Sequence, residues 1–226
     1  MSDYKLLRST GDLIYKFISS NKYASAAGLA LVVVCSLLYR SKRFLSESGT
    51  SKKRRKNISK DALIDVLFFS NENAMCQDHI NDGNTCSDDC GAQKLLTLVE
   101  YLDMAKESLD VCVYTITSIK LAEAVLRKFN EGVAVRVITD DSMAYGDGSQ
   151  IPLFRRNGVR VRAEPSQNLM HHKFAVIDRK VLVTGSFNWT QQATFGNWEN
   201  VIITSEPEEV VQRFSDQFEK LWQILD

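Results

Sequence analysis

Residues 171–189 read His171-His172-Lys173-Phe174-Ala175-Val176-Ile177-Asp178-Arg179-Lys180-Val181-Leu182-Val183-Thr184-Gly185-Ser186-Phe187-Asn188-Trp189. Two runs, 173–178 and 181–185, are rich in β-branched and aromatic residues and flank Arg179-Lys180, the pattern of a β-hairpin. Side chains alternate along a strand, so His171 and Lys173 project to one face and His172 to the other. An imidazole and an ammonium thereby converge. Ser186 and Asn188 stand two apart beyond Gly185, which allows close backbone approach. Such a set suits a phosphodiester: the imidazole can attack phosphorus while ammonium, hydroxyl and amide hold the non-bridging oxygens. Glu199 is expected to hold the other ring nitrogen of His171 and raise its basicity.

Working outward, residues 61–70 (DALIDVLFFS) read as a strand, and residues 94–106 place Leu95, Leu98, Val99 and Leu102 on one helical face. A strand at 109–115, a helix capped by Ser118 and ended by Gly132, and a strand at 133–139 make a parallel strand–helix–strand unit. Residues 159–163 and 200–204 add short strands. A final helix begins at Ser205, whose hydroxyl pairs with Glu208 in a capping-box pattern. It is expected to bury Val210, Val211, Phe214, Phe218, Leu221 and Trp222. The fold class is α/β, a mixed sheet with helices on its faces and no internal repeat.

The 226 residues carry no net charge, but residues 1–56 hold 12 Lys+Arg against 3 Asp+Glu and residues 57–226 hold 16 against 25. An acidic body needs a local basic patch to hold a phosphate polymer, so bulk charge gives no nucleic-acid signal. Residues 23–39 (YASAAGLALVVVCSLLY) are uncharged and, as a helix, would span about 25 Å, just enough for a transmembrane anchor. The basic flank at Arg40, Lys42, Arg43 and 52–56 argues against a cleaved signal and keeps the C-terminal side cytosolic. The expected organisation is a segment 1–22, an anchor 23–39, a basic linker 40–60 that is mostly a solvated flank with added contact to lipid headgroups, and a catalytic domain 61–226. Arg155, Arg156, Arg160 and Arg162 surround the Asn157-Gly158 turn. They could track a phosphate backbone or be ordinary surface charge.

Of five cysteines, Cys35 lies in the apolar stretch and Cys112 in a buried strand. Cys76, Cys86 and Cys90 share residues 76–90 with His79, in a stretch whose Asn, Asp and Gly cannot build a core. Four ligands at this spacing suit a structural zinc, closed and tetrahedral with no position for water. The alternative is incidental loop thiols beside a surface histidine.

His171, Lys173 and Asp178 form H-x-K-x4-D, and Gly185, Ser186 and Asn188 form G-S-x-N; together they resemble the phospholipase D superfamily over roughly residues 60–226. Anchor, basic linker, Cys/His element and single motif are similar in order to the Zucchini or mitochondrial phospholipase D (MitoPLD) group. The resemblance implies His171 as nucleophile, Lys173, Ser186 and Asn188 as phosphate contacts, and Glu199 as the carboxylate orienting His171. Asp178 completes the catalytic motif, but its distance from Lys173 points to fixing the hairpin. With one motif and three histidines, the second imidazole is expected from a symmetric homodimer presenting His171 twice. No catalytic metal is required. The group further implies a single-pass protein of the mitochondrial outer membrane facing the cytosol. Its implied activity is a single-strand RNA endonuclease that forms piRNA 5′ ends, working on piRNA precursors with piRNA-pathway proteins. Hydrolysis of cardiolipin to phosphatidic acid is the alternative, and the intact motif disfavours a silent scaffold.

Overall fold

Alternating β-runs and helical periods fold into one mixed sheet in the computed structural model, which describes residues 62–82, 86–87, 89–163 and 167–225. The elements are β1 (Ile64–Phe69), a 3-10 segment (Asn71–Cys76), α1 (His79–Asp82), α2 (Gly91–Leu102), β2 (Ser108–Val113), α3 (Ile119–Asn130) and β3 (Ala134–Ile138). They continue as α4 (Asp141–Ala144), α5 (Ile151–Arg156), β4 (Arg160–Arg162), β5 (Lys173–Ile177), β6 (Val181–Gly185), α6 (Gln191–Phe195), β7 (Glu199–Thr204) and α7 (Glu208–Ile224). Among the described residues the sheet order is β1-β7-β6-β5-β2-β3-β4. β2, β3 and β4 run parallel, and every other neighbouring pair is antiparallel. The expected α/β architecture is therefore the one that forms.

Helices cover both faces because the strands of the sheet centre are apolar on both sides. Leu95, Leu98 and Leu102 of α2 and Leu121 and Val125 of α3 pack with Val111, Val137, Ala175 and Ile177 in one core. On the opposite face Val211, Phe218 and Trp222 of α7 cover Cys112, Ile138, Phe174, Val176 and Leu182. Each fully buried Leu or Phe side chain contributes about 1.5–3 kcal/mol. Arg136 fastens α7 to the sheet: it donates to both carboxylate oxygens of buried Asp110 at 2.8 and 2.9 Å. It also pairs with Glu219 at 2.9 Å and lies 4.9 Å from the Phe218 ring centroid. The Asp110 hydrogen bond holds the guanidinium above its usual pKa. Losing either partner would strand a charge beneath the helix, at a cost of about 3–5 kcal/mol.

Three local expectations change. The hairpin turns on Asp178 and Arg179, with φ 51° and 55°, one residue earlier than Arg179-Lys180, because an Asp side chain tolerates the left-handed region. Ser205 does not cap the last helix, which starts after Pro207. Its Oγ instead accepts the Leu63 N–H at 2.9 Å, tying the chain to the start of β1, and Val210 in the first turn is exposed. Ser118 occupies the N-cap of α3 without a side-chain capping bond. The short helices α4, α5 and α6 went unread since none is long enough to display a helical period.

The segment 1–22, the anchor at 23–39 and the linker at 40–60 lie outside the described residues. Among the described residues, no helix is long and apolar enough to cross a membrane.

Candidate active site

The sheet end where β2 finishes and β5 begins gathers the chemistry. Lys173 pairs with Val113, so His171 and His172 extend past the C-terminal end of β2. Two backbone hydrogen bonds bracket them: Met170 N–H donates to the Asp140 carboxylate at 2.8 Å, and Tyr114 N–H donates to the His172 carbonyl at 2.8 Å. Lys173 Nζ sits 3.1 Å from Nδ1 and 3.2 Å from Nε2 of His171 and donates to the His171 carbonyl at 2.9 Å. The His171 ring packs against Tyr114 with centroids 4.7 Å apart, and Lys173 Nζ lies 5.5 Å from the same Tyr114 ring. His172 turns the other way, against Phe174 at 5.6 Å, as strand alternation requires. Burial lowers the Lys173 pKa, with the Glu199 charge opposing. Burial, then the Lys173 and His171 charges, lower that of His172.

β6 delivers the second half of the site. Phe174 pairs with Thr184, which brings Gly185 and Ser186 to the same sheet end as Lys173. A Cβ on Gly185 would lie 2.0 Å from the Asn200 carbonyl oxygen, so only glycine fits. Beyond it Phe187 and Trp189 are buried, and the alternation turns Ser186 and Asn188 outward. Ser186 N–H donates to the Asn200 carbonyl at 3.1 Å, Asn200 N–H donates to Ser186 Oγ at 3.1 Å, and the Ser186 hydroxyl donates to Glu199. The Asn188 side-chain oxygen is buried without a hydrogen-bond partner among the described residues.

Glu199 departs from its expected place. Its oxygens accept from Ser186 and from Asn197 Nδ2 at 3.0 Å, so within one subunit it holds the Ser186 hydroxyl and makes no hydrogen bond to that subunit's own His171. The cause is topological: β6 lies between β7 and β5, which puts Glu199 next to β6's serine. Asp178 is likewise no member of the reacting set. Five residues along β5 from Lys173, about 17 Å at strand spacing, its carboxylate accepts the N–H groups of Lys106, Glu107 and Ser108 at 2.7–3.1 Å.

The four arginines are divided. Arg155 and Arg156 end α5, and Arg155 donates to the Tyr145 hydroxyl at 2.5 Å while lying 5.4 Å from its ring. Arg160 and Arg162, on edge strand β4, lie over Trp222 of α7 at 5.9 and 4.6 Å. That is the α7 face of the sheet, whereas Lys173 alternates with Phe174 onto the other. The fold therefore sets Arg160 and Arg162 apart from the histidine cluster.

Cys76, His79, Cys86 and Cys90 do converge, with one ligand atom from each lying within 4.8 Å of the others. Cys76 and Cys86 sulfurs are 3.3 Å apart, and His79 Nδ1 is 3.4 Å from the Cys90 sulfur. Zinc bond lengths of about 2.3 Å to sulfur and 2.0 Å to nitrogen imply tetrahedron edges near 3.5–3.8 Å, so three sulfurs and one nitrogen fit that ion. Burial works to raise the Cys90 pKa, but N–H groups of Gln93, His79, Cys86 and Ala92 outweigh it and bring the thiol to about 6, favouring the ligating thiolate. Burial pushes Cys76 up to about 11.

Tyr114 and Asp140 escaped the sequence reading. Tyr114 looks like an ordinary residue near the end of a strand. Asp140 followed by Ser142 is a helix N-cap pattern, and its carboxylate does accept the Ser142 N–H at 3.0 Å; nothing local announces its bond to Met170.

The family profile described as "Cardiolipin synthase, PLD-like domain" matches residues 98–222, more than half of the chain. The chain belongs to the phospholipase D family. This phospholipase D-like chain is 39% identical over 208 residues to a Xenopus tropicalis protein named mitochondrial cardiolipin hydrolase, covering 90% of this chain and 89% of the relative. A Chlamydomonas reinhardtii protein of the same name is 39% identical over 170 residues, covering 74% and 76%. The human one is 43% identical over 142 residues, covering 63% and 56%. These relatives place the chain in the MitoPLD/Zucchini group. Nuc from Salmonella typhimurium, a phospholipase D family member, shares the fold with a TM-score of 0.59 at 20% identity, covering 74% of this chain and 97% of Nuc. The enzyme is a phosphodiesterase of this superfamily.

Proposed function

We propose that the chain is a homodimeric single-strand RNA endonuclease, anchored by residues 23–39 in the mitochondrial outer membrane and forming piRNA 5′ ends with piRNA-pathway proteins. The observation that carries the phosphodiester chemistry of this reading is the 3.1–3.2 Å approach of Lys173 Nζ to the His171 ring at an exposed sheet end beside Ser186. A ring nitrogen of His171 attacks phosphorus, and the bond to the leaving oxygen breaks as a phosphohistidine forms. The protonated His171 of the partner subunit gives its proton to that oxygen, then takes one from the water that cleaves the N–P bond. Lys173, Ser186 and Asn188 hold the non-bridging oxygens, and acid catalysis of this kind supplies about 10²–10⁴-fold.

Support for the dimer comes from the face of β1 and β7 that α7 leaves open. Ile64, Val66, Phe68 and Ile202 are all exposed there, with Val66 opposite Ile202 and Phe68 opposite Asn200. An exposed apolar face of this kind suits contact with a second copy of the chain. Zinc held by Cys76, His79, Cys86 and Cys90 would act structurally, stapling residues 76–90 against Ala92 and Phe195, with which Cys76 and Cys90 pack.

A second reading, release of phosphatidic acid from cardiolipin, is favoured by the relatives' printed name. The purified full chain in detergent decides between them. Cutting of single-stranded RNA into 5′-phosphate fragments without added divalent metal, abolished by His171→Asn, is the expected result. Turnover of cardiolipin vesicles with no RNA cleavage by the wild type would establish the lipid reading instead.

A further inference from the structure

A cleft of about 490 Å³ is bordered by Thr117, Ile119, Gln150, Thr190, Gln191 and Gln192 with the Asp147-Gly148 turn at its rim. Its walls come from three separate parts of the chain, yet backbone hydrogen bonds lock them together. The N–H groups of Thr117 and Ser118 both donate to the Trp189 carbonyl, at 2.9 and 2.8 Å, and Thr190 N–H donates to the Asn188 carbonyl at 2.8 Å. Gln150 N–H closes the third side on the Ile116 carbonyl at 2.9 Å. The cleft is thus preformed and starts at Thr190, two residues from Asn188, a proposed phosphate contact.

The chemistry of the lining is selective. No lysine or arginine borders the space, so it is not built for another phosphate. Nor is it an acyl-chain channel, since Ile119 is the one large apolar side chain on its border, and three amides, two hydroxyls, the Asp147 carboxylate and Gly148 supply the rest. Amides and hydroxyls that both donate and accept match the edges of a nucleobase, and a Gln amide can make two such bonds at once. Ile119, 56% exposed, offers an apolar surface to the flat face of a base. Gln150 Nε2 donates to the Gly148 carbonyl at 2.8 Å, which holds that amide at the wall. Asp147 on the rim is an acceptor of the kind that takes a ribose hydroxyl.

We propose that this cleft is a subsite for the nucleoside adjoining the scissile phosphate. The assignment rests on the RNA reading of the active site and deepens it. It makes the enzyme sensitive to the base on one side of the cut, although the catalytic groups touch only phosphate.

The test uses the full chain and two probes. One is a pool of short oligoribonucleotides randomised around a single position, and the other is bis(p-nitrophenyl) phosphate, a diester with neither ribose nor base. The readout is the ratio of kcat/KM on RNA to kcat/KM on the small diester, with the base frequencies at the cut. The Gln150→Leu, Gln191→Leu double variant is expected to lower that ratio about tenfold, the discrimination carried by one bidentate base contact, and to flatten the base frequencies on one side. Because the small diester reports on the same preparation, a misfolded variant loses both activities and leaves the ratio where it was; Gln150→Glu, which keeps the shape and changes the hydrogen bonding, then serves in its place and must shift the base frequencies. A ratio and cut pattern equal to wild type in a folded variant would overturn the subsite alone. Failure of the wild-type chain to cut RNA at all would overturn the RNA reading and the subsite with it.

Discussion

Tyr114 touches both groups the proposed chemistry needs. Its ring packs on His171 at 4.7 Å and lies 5.5 Å from Lys173 Nζ, while its backbone N–H holds the His172 carbonyl. Catalysis of this kind depends on placement, and a shift of about 1 Å can cost on the order of 10²-fold. Tyr114→Leu is therefore expected to lower kcat by about 10–100-fold with little change in KM, whereas Tyr114→Phe, which keeps the ring, retains most of the rate. Steady-state kinetics on a small diester measures both. Glu199 gives a second test through charge. Its carboxylate raises the Lys173 pKa against the lowering by burial, so Glu199→Gln lets the ammonium lose its proton at lower pH. The alkaline limb of the kcat–pH profile should move down; a limb that stays in place would show that Lys173 protonation does not govern the rate. The convergence of His171 and Lys173 was legible from spacing, because strand alternation is local. Tyr114 was not, since its role depends on which strand lies beside β2.

The β5–β6 hairpin carries its motif at both ends, with opposite purposes. At one end Lys173 faces the site; at the other Asp178 accepts three backbone N–H groups from residues 106–108 and so anchors the turn to the start of β2. Charge-assisted bonds of this type are worth about 1.5–3 kcal/mol. Asp178→Ala should destabilise the fold by on the order of 3 kcal/mol, read as a lower melting temperature, while protein that remains folded keeps its kcat. A kcat collapse at unchanged stability would instead return Asp178 to the reacting set. The Cys/His element makes a comparable prediction. Metal analysis should find one zinc per chain, and both chelation and Cys90→Ser should lower the melting temperature, because the ion holds a stretch with little core of its own. Spacing in the sequence pointed to this cluster; that its ligand atoms come within 4.8 Å depends on α1 and α2 folding back on each other.

For the whole molecule, the open face of β1 and β7 sets the expectation. Phe68 is 66% exposed, so Phe68→Asp should leave the single subunit folded while disfavouring apolar contact with a second copy. Light scattering is expected to show a monomer, and turnover should fall by about 10²–10⁴-fold as the second imidazole is lost. A dimer of full activity would show that the two copies meet elsewhere.

By itself the sequence determined the elements whose signal is local: the hairpin, the parallel β2–α3–β3 unit, the Cys/His cluster within residues 76–90, and the pairing of His171 with Lys173. Each follows from a period of two or 3.6 residues, or from ligand types crowded into a short stretch. The tertiary structure alone decided that Glu199 bonds Ser186, that Asp178 reaches the N–H groups of residues 106–108, that Arg160 and Arg162 rest on Trp222, and that a cleft opens between Thr117, Gln150 and Thr190. Those outcomes are set by strand order and by which face each strand turns to its neighbour, relations between residues far apart in the chain that no local pattern contains.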